Sequence, residues 1–426
     1  MRRLPDIDVD PRPAIEVQAS RRHPLGMPAA AFLRDYWQKR PLLVRGAFPD
    51  LSAPGASPPL TPEDLAGLAC EAAMSRLVVH DRGTDTWSVR HGPFDEALFP
   101  GLGERDWTLL VQDVEKWDAD VAALLDVFDF LPRWRIDDVM VSFAAPGGSV
   151  GAHVDHYDVF LLQAQGRRRW QIDASDAPPL AFRDDAELKL LRVFTPSHDW
   201  VLEPGDMLYL PPGVPHHGIA EEACLTCSIG MRAPAVAELM GDYIDTLAAS
   251  ADDALRYGDA DLAPARDRNE IDAAAMTRVV AALNRVRMDD ADALGDWFGR
   301  FITVYRSAGV APAGEDAPPR IELEWALQQG AALRRHPWTR MAWRRAGARQ
   351  ARGAGRAAQL YVSGDAHALP ITDARCITGC DSLDGTAYAA LSQSGRDCVF
   401  ALFEAGHYRL DDDTEQDTEA FGEPTA

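Results

Sequence analysis

Two histidines and one aspartate have the residue types and spacing of a metal site. His153 and Asp155 are separated by one residue in the segment VGAHVDHYDVFLLQ, and His216 follows about sixty residues later. We predict that this segment is a strand, so that His153 and Asp155 project from the same face. Two neutral imidazoles and one carboxylate occupy one face of an octahedral ion and leave the other face open, which is the ligand set of non-haem Fe(II).

His216 ends a stretch in which glycine and proline recur at fixed positions. The residues GDMLYLPPGVPH run from Gly205 to His216 and give the pattern G-x5-P-x-G-x2-H, which is typical of cupin barrels. The glycines and prolines of this pattern turn the chain so that the final histidine points inward. The adjacent His217 could close the site instead, although the spacing favours His216. HxD alone is common, but together with this stretch it predicts a metal centre.

Three consecutive arginines, Arg167, Arg168 and Arg169, follow the predicted metal strand. In a strand, Arg167 and Arg169 share one face and Arg168 occupies the other, so only one face can look into a barrel. A buried guanidinium needs a partner, and a dicarboxylate co-substrate supplies one, because arginine grips a carboxylate through two parallel hydrogen bonds. The alternative is surface ion pairing to Asp173, Asp176 or Asp184, which fits at least one of the three arginines.

The elements around these residues indicate a β-sandwich or barrel over residues 21–234, because many short strands alternate there with proline and glycine turns. Phe32, Tyr36 and Trp37 recur at helical spacing and predict one early helix over 28–38. The predicted strands include LLVRG (42–46), RLVVH (76–80), VMVSFAA (139–145) and DMLYL (206–210).

The rest of the chain divides into a helical zone and a mixed zone. Over 235–310, apolar residues step at helical intervals and predict helices that form a bundle or an oligomer interface. Over 311–410, a helix at 321–332 and the strand-like runs LYV and CVFALF predict a small α+β module. We expect residues 1–20 to form a flexible tail and residues 411–426 an acidic, disordered one.

Residues 325–364 contain eight arginines and no lysine, aspartate or glutamate. Such a basic stretch predicts contact with RNA or with an acidic partner surface. The alternative is a solvated basic face that balances acids elsewhere. The arginines are Arg334, Arg335, Arg340, Arg344, Arg345, Arg349, Arg352 and Arg356.

Composition argues against several classes of protein. The 426 residues carry 43 Lys and Arg against 66 Asp and Glu, a net charge of −23, which disfavours a protein that coats nucleic acid with its whole surface. No run approaches the ~18 apolar residues of a membrane helix, and the start, MRRLPDIDVD, does not resemble a signal peptide. The six scattered cysteines fit a reducing compartment, and we expect a cytoplasmic protein without membrane contact.

Three segments together resemble the bacterial Jumonji-C-type ribosomal oxygenases: YWQKRPLLVRGAFP, SFAAPGGSVGAHVDHYDVFLLQAQGRRRWQID and LYLPPGVPHHG. The resemblance implies an α+β multidomain fold. Its parts are an N-terminal double-stranded β-helix (cupin or jelly-roll) domain at 21–234, a helical dimerisation region at 235–310 and a C-terminal winged-helix-like domain at 311–410. It also implies a homodimeric Fe(II)- and 2-oxoglutarate-dependent dioxygenase that consumes O2, releases succinate and CO2, and hydroxylates the β-carbon of an arginine in a large-subunit ribosomal protein.

Carried over by position, the resemblance assigns roles around the metal. His153, Asp155 and His216 match the iron ligands. Arg168 matches the basic residue that pairs with the distal carboxylate of 2-oxoglutarate, and Ser142 matches a position near the active site.

The resemblance also points to substrate-contacting residues. Tyr157, Asp158 and Phe160 lie in the core strand of the family, where they either line the substrate pocket or pack in the core. The strand Thr226-Cys227-Ser228 departs from the more amide-rich strand of other members.

Two alternative functions remain open from the sequence. Related enzymes hydroxylate a histidine of another ribosomal protein, and a cupin can bind metal without catalysis as a binding or regulatory module, although Arg168 argues against the latter. An acidic pocket would favour an arginine substrate. The acids near the predicted pocket segments are Asp113, Asp137, Asp138 and Asp158, and the sequence does not say which face inward.

Overall fold

The computed structural model describes residues 14–71, 74–264, 269–286, 290–306, 309–312, 317–346 and 358–411. The chain divides into two compact units, Met1–Ala233 and Pro234–Ala426.

The first unit is built mainly of strands. Its strands are β1 (Glu16–Gln18), β2 (Leu42–Arg45), β3 (Ser75–Asp81), β4 (Thr86–His91), β5 (Trp107–Val111), β6 (Ile136–Ala144), β7 (Val159–Gln165), β8 (Arg168–Ile172), β9 (His198–Leu202), β10 (Met207–Leu210), β11 (His216–Ala220) and β12 (Cys224–Met231). Its α-helices are α1 (Ala29–Asp35), α2 (Pro62–Glu71) and α3 (Ala119–Ala123). Short 3-10 helices span Pro49–Ser52, Glu96–Gly101, Val114–Lys116, Leu124–Phe128 and Arg133–Arg135.

Two sheets of this unit form the predicted double-stranded β-helix. The larger sheet has the strand order β1-β2-β10-β7-β12-β6-β5-β3-β4, and the smaller one has the order β11-β8-β9. Leu161 of the larger sheet and Trp170 and Leu202 of the smaller one belong to one apolar cluster, so this cluster fills the space between the sheets. Phe32 of α1 and Phe160 of β7 belong to a second cluster on the outer face of the larger sheet.

Strand alternation decides which side chains face the interior of the barrel. On β6, Val139 and Val141 pack in the outer cluster. Because successive side chains of a strand point to opposite faces, Met140 and Ser142 face the interior. By the same argument, the interior-facing residues of the neighbouring strands are Leu161 and Gln163 on β7 and Cys224, Thr226 and Ser228 on β12. Asp138 lies at a register shift of β6 and approaches the inner side of β12, since a Cβ at Gly230 would lie 3.1 Å from its Oδ1.

The second unit combines helices with two small sheets. Its helices are α4 (Val236–Ser250), α5 (Ala273–Leu283), α6 (Ala291–Val304), α7 (Arg320–Gln328), α8 (Ile371–Gly379), α9 (Gly385–Ala390) and α10 (Gln393–Glu404). Its strands are β13 (Ala332–Arg335), β14 (Met341–Arg345), β15 (Ala358–Val362), β16 (Asp365–Leu369), β17 (Ser382–Asp384) and β18 (Tyr408–Asp411). The sheets have the orders β17-β13-β18 and β14-β15-β16.

The prediction that CVFALF forms a strand is wrong, because this run lies within helix α10. The serine before the helix, Ser392, caps it, because its hydroxyl accepts a hydrogen bond from the Gly395 N–H. Val399, Leu402 and Phe403 then meet the core of the unit from one helical face. A short apolar run has no distinct period, so the cap and the packing decided its conformation.

Helices α4, α5 and α6, within the predicted helical zone 235–310, differ in how well they are packed. Helix α6 contacts β14, β15 and β16, and its Trp297 and Phe301 are buried. Helices α4 and α5 have no buried residue, although both are apolar on one side. Helix α6 therefore packs against the sheet β14-β15-β16. Helix α4 covers part of its apolar side against α6, where the centre of the Tyr243 ring lies 4.8 Å from that of the Trp297 ring, but Val236, Met240 and Ile244 stay exposed, as do Val280 and Leu283 of α5. The predicted boundary at 310 stays a prediction.

The N-terminal tail is shorter than expected. Within the predicted tail, Glu16–Gln18 forms β1 and pairs in parallel with β2, and the Leu43 N–H donates to the Ile15 carbonyl at 2.8 Å. The neighbouring strand β2 offers an edge that satisfies these backbone groups, which sequence periodicity could not reveal. Residues 1–13 and 412–426 lie outside the described residues.

Candidate active site

The three predicted metal ligands meet at one point of the barrel. Each of His153, Asp155 and His216 offers one ligand atom, and these atoms all lie within 4.8 Å of one another. The Asp155 Oδ2 is 3.9 Å from the His153 Nε2 and 3.6 Å from the His216 Nε2. Among the described residues, this is the one group of three or more metal-ligating side chains with such spacing.

A pair of backbone hydrogen bonds holds the two histidines together. The N–H groups of His153 and His216 each donate to the carbonyl of the other at 3.0 Å. His153 forms only this isolated bridge, and β7 begins at Val159, so the predicted strand is shorter than expected. The Gly213 N–H donates to the Asp155 carbonyl at 2.8 Å, so the turn before His216 also fixes the aspartate.

In each histidine, one ring nitrogen is hydrogen-bonded to the backbone and the other is free to bind a metal. The Nδ1 of His153 lies 3.0 Å from the Gly151 carbonyl, and the Nδ1 of His216 lies 2.9 Å from the Val214 carbonyl. Hydrogen bonds of this kind place the proton on Nδ1 and leave Nε2 as the free donor atom. Both Nε2 atoms face the Asp155 carboxylate, so the donor set fits a divalent metal.

The structure distinguishes His216 from its neighbour. His216 is 2% exposed, and burial beside His153 lowers its pKa to about 4, which keeps the imidazole neutral as a metal ligand must be. His217 points to the other face of β11, where its ring packs on Phe194. The pattern of glycine and proline therefore identified the histidine that meets the aspartate.

Arg168 lies inside the barrel on the same sheet face as His216. It is 3% exposed, and its Nη2 donates to the Gly218 carbonyl at 3.3 Å. Its Nε and Nη1 have no hydrogen-bond partner among the described residues. The guanidinium carbon is 5.1 Å from the centre of the Trp170 ring. A buried cation with two free N–H groups fits a carboxylate of a bound co-substrate.

The two neighbouring arginines point outward, as the alternation predicted. Arg167 pairs with Glu222 at 3.2 Å. Arg169 pairs with Glu221 at 2.6 Å and with Asp199 at 2.8 Å. Surface ion pairing, the alternative explanation, therefore holds for two arginines of the three, but none of these partners is one of the expected Asp173, Asp176 and Asp184.

Ser142 faces the barrel interior on β6, opposite Thr226 of β12. It is 5% exposed, and its hydroxyl donates to the Thr226 carbonyl at a long 3.5 Å. A weak hydrogen bond leaves the hydroxyl free to turn toward a ligand. Its role toward the co-substrate stays a prediction.

The three predicted substrate residues separate into different environments. Asp158 is fully buried and accepts hydrogen bonds from Tyr209 at 2.6 Å, Gln38 at 2.9 Å and Arg135 at 3.2 Å. Phe160 packs in the outer apolar cluster. Neither side chain lines the barrel interior, because strand alternation turns both to the outer face of the sheet. Their contacts there favour structural roles over contact with substrate.

Tyr157 is the predicted substrate residue that stays accessible. Its side chain is 37% exposed. Burial of the hydroxyl and the carboxylates of Asp155 and Asp138 raise the pKa of the Tyr157 phenol. The phenol is therefore a neutral hydrogen-bonding group beside a metal ligand.

Asp138 is the site residue that sequence reasoning did not single out. Among the described residues its carboxylate has one hydrogen bond, a long one of 3.4 Å from the Asp113 N–H. Burial and the nearby Glu115, Asp113 and Asp137 raise the pKa of Asp138 to about 8. Strand alternation was not a sufficient signal, because the register of β6 shifts between Ile136 and Val139, next to Asp138.

Family comparisons agree with this fold and site. The family profile of the JmjC domain matches residues 123–239, and that of the ROXA-like winged helix matches residues 285–409. The barrel and its ligand set define a JmjC-type oxygenase that depends on Fe(II) and 2-oxoglutarate.

The particular family follows from individual relatives. The chain is 38% identical over 307 residues to the ribosomal protein uL16 3-hydroxylase of Escherichia coli, a match that covers 71% of this chain and 78% of the relative. The X-ray structure of E. coli YcfD matches with a TM-score of 0.77 and 32% identity over 91% of this chain and 99% of that one. The ribosomal oxygenase YcfD in complex with cobalt and 2-oxoglutarate matches with a TM-score of 0.74, 32% identity and the same coverage. The chain belongs to the ribosomal oxygenases, so the predicted family and fold class are confirmed.

Four of the five described arginines of the basic stretch have partners within the chain. Arg340 donates to the Tyr305 carbonyl at 2.6 Å, and Arg344 donates to the Tyr361 hydroxyl at 2.9 Å. Arg334 pairs with Asp411, and Arg335 pairs with Asp381. Arg345 is exposed, and Arg349, Arg352 and Arg356 lie outside the described residues. Contact with RNA stays a prediction.

Two further expectations concern membranes and cysteines. Within the described residues, no helix is both long and apolar enough to cross a membrane. All six cysteines are free, and Cys224 and Cys227 are buried, as expected for small core side chains.

Proposed function

We propose that this chain hydroxylates an arginine side chain of the ribosomal protein uL16, with 2-oxoglutarate as co-substrate. The observation that carries the proposal is the buried Arg168, whose two free N–H groups lie in the same barrel interior as the ligand triad. A metal-binding cupin without catalysis has no use for such a cation. The relative in E. coli, which is named a uL16 3-hydroxylase, supports the substrate.

The residues of this chain divide the work of the reaction. His153, Asp155 and His216 would hold Fe(II), and Arg168 would bind the distal carboxylate of 2-oxoglutarate. The metal supplies the oxidative chemistry that converts 2-oxoglutarate and O2 to succinate and CO2 and places a hydroxyl on the substrate. The barrel walls exclude water from the reacting atoms and orient the substrate.

An arginine substrate fits the acid that faces the interior. Few hydrogen-bond donors surround the Asp138 carboxylate, and the Tyr157 phenol lies near it. A guanidinium offers five donors and a permanent positive charge, so it satisfies both groups. An imidazole has no permanent positive charge with which to stabilise the ionised form of Asp138, and this favours arginine over the histidyl alternative.

We expect Asp138→Asn to raise the KM for uL16 by about tenfold to a hundredfold, because a charged hydrogen bond contributes about 1.5–3 kcal/mol. The KM for 2-oxoglutarate should hardly change. The pH dependence follows from the pKa of about 8. Below this pKa, the Asp138 carboxyl of the enzyme without substrate holds a proton, and binding of the guanidinium must displace it. The wild-type KM for uL16 should therefore fall as the pH rises from about 6.5 to about 8.

Asp137→Asn is the matched control, since Asp137 pairs with Arg232 at 3.0 Å. We expect its KM for uL16 and its pH profile to follow the wild type. The arginine subsite is contradicted if the two variants behave alike, or if Asp138→Asn keeps the pH dependence of the wild type.

Homodimerisation through α4 and α5 is part of the proposal. Apolar side chains recur along each helix and are exposed: Val236 (71%), Met240 (57%) and Ile244 (42%) on α4, and Val280 (52%) and Leu283 (70%) on α5. A contiguous apolar face of this kind marks an interface, and a two-fold dimer can cover it with the same helices of a second copy.

The variant Val280→Asp with Leu283→Asp tests the dimer. We expect wild-type protein to scatter light as a particle of about twice 46.6 kDa and the double variant to scatter as a single chain, because charges at the centre of an apolar interface cost several kcal/mol. Asp245→Lys, on an exposed polar position of α4, is the control. A monomeric wild type, or a double variant that remains dimeric, would contradict this interface.

The experiment that tests the function compares ribosomal proteins from cells with and without the gene. Mass spectrometry should show that uL16 loses the mass of one oxygen atom, on an arginine, when the gene is deleted. Purified protein with Fe(II), 2-oxoglutarate and unmodified uL16 should form succinate and restore that mass. If the oxygen atom is instead lost from a histidine of another ribosomal protein, the result would support the histidyl alternative. Since ribosomal proteins are made in the cytoplasm, we place the enzyme there.

A further inference from the structure

Two buried polar side chains link β7 and β12 close to Arg168. Gln163 is 0% exposed and Thr226 is 1% exposed. The Thr226 hydroxyl donates to the Gln163 Oε1 at 3.1 Å. The Gln163 Nε2 donates to the carbonyls of Gln165, at 2.9 Å, and Gly166, at 3.2 Å. Both donors and the acceptor oxygen of this amide are therefore bound by the protein itself.

The carbonyls that Gln163 binds belong to the turn that leads into β8. Gly166 has φ +64°, and a Cβ there would lie 2.3 Å from the Ala223 carbonyl oxygen, so the turn is tight and needs glycine. Arg168 is the first residue of β8. The amide of Gln163 thus holds the turn that directly precedes Arg168.

Within the described part of the chain, the side chain of Arg168 makes few contacts: the Gly218 carbonyl, the Trp170 ring and the nearby Cys224 thiol. The contact from Nη2 to the Gly218 carbonyl is a long hydrogen bond of 3.3 Å. A Cβ at Gly218 would lie 2.7 Å from the Arg168 Nε, so there is no spare room on that side. Pairing of β8 with β9 and β11 fixes the backbone of Arg168 from that residue onward, and the turn before it contributes to where the guanidinium lies.

We propose that Gln163 and Thr226 are positioning residues for the co-substrate. Their hydrogen bonds hold the Gln165–Gly166 turn so that the free N–H groups of Arg168 meet the distal carboxylate of 2-oxoglutarate. This inference rests on the proposed function, because it assumes that Arg168 binds that carboxylate. Gln163 does not touch the co-substrate, since its amide has no free hydrogen-bonding group.

The test separates affinity for 2-oxoglutarate from catalysis. We expect Gln163→Leu and Thr226→Val to raise the KM for 2-oxoglutarate by about tenfold, the equivalent of one lost hydrogen bond, while kcat at saturating 2-oxoglutarate changes less than about twofold. Thr226→Ser keeps the hydroxyl and should keep the wild-type KM.

Two readouts do not depend on turnover. Calorimetric titration of 2-oxoglutarate into the cobalt-loaded full chain, without oxygen, should show the same rise in Kd for Gln163→Leu and Thr226→Val. Amide hydrogen exchange at 166–168 should be faster in these variants of the metal-free protein. Thr303→Val is the control for general destabilisation, because it removes a buried threonine hydroxyl of the second unit. It should lower Tm without changing the KM for 2-oxoglutarate.

The possible outcomes are distinct. Unchanged KM and Kd in Thr226→Val overturn the inference, and so does an equal rise in Thr226→Ser, which would assign the effect to packing. If Gln163→Leu does not fold, the two Thr226 variants decide. If the wild type forms no succinate with uL16, the proposed function fails, and the Kd values of the cobalt-loaded variants still decide the role of Gln163 and Thr226.

Discussion

Replacing His153 or Asp155 by alanine should abolish succinate formation, with a loss of more than about 100-fold. Removing even a partner of a metal ligand costs about 10–100-fold, and removing a ligand costs more. The two histidines and the aspartate offer three donor atoms within 4.8 Å of one another. With two of them left, Fe(II) is bound weakly and loses the geometry that leaves one face open. Succinate release at saturating Fe(II) and 2-oxoglutarate measures the effect.

The adjacent histidines of β11 provide the control for this prediction. His216→Ala should behave like His153→Ala, whereas His217→Ala should keep most of the activity, because the His217 ring packs against Phe194 on the other face. Bound iron in each purified variant should follow the same order. Undiminished succinate formation by His153→Ala, or loss of iron from His217→Ala alone, would remove the metal assignment.

Arg168→Met should raise the KM for 2-oxoglutarate by at least about 100-fold, which corresponds to about 2.7 kcal/mol. Two charge-assisted hydrogen bonds to the distal carboxylate are lost, and each contributes about 1.5–3 kcal/mol. Burial lowers the pKa of Arg168, because the free cation has no anionic partner. Methionine should therefore leave the Tm of the metal-free protein unchanged or raise it.

The next residue gives a matched control on the opposite face of the strand. Arg169→Met removes two exposed ion pairs, to Glu221 and Asp199, and exposed pairs contribute little to stability. Its KM for 2-oxoglutarate should equal that of the wild type. If both variants shift the KM equally, or if Arg168→Met shifts nothing, Arg168 does not bind the co-substrate.

Much of the site could be predicted from the sequence because local rules decide it. The HxD spacing and the glycine and proline positions before His216 identify the candidate ligands, and both depend on the geometry of a few adjacent residues. The alternation of a strand separated Arg168 from Arg167 and Arg169 in the same way. Each of these inferences needs only residues that are close in the chain.

Other features depended on contacts that the sequence does not display. Asp158 and Phe160 follow His153 and Asp155 in the chain but face away from the barrel interior, because the residues between Asp155 and Val159 do not continue the strand. Asp138 was one acid among four until the register shift of β6 placed it beside Gly230 of β12. The CVFALF run became a helix because Ser392 caps it and one of its faces meets the core.

The sequence by itself determined the ligand types, their order and the class of barrel that carries them, because these depend on residue chemistry and on the short periods of strands and turns. The tertiary structure alone decided which groups are left without partners. Arg168 keeps two free N–H groups, whereas Arg340 and Arg344 of the basic stretch are bound to Tyr305 and Tyr361. The physical reason is that a partner distant in the chain satisfies a buried polar group, and only the packed fold brings that partner within hydrogen-bond distance.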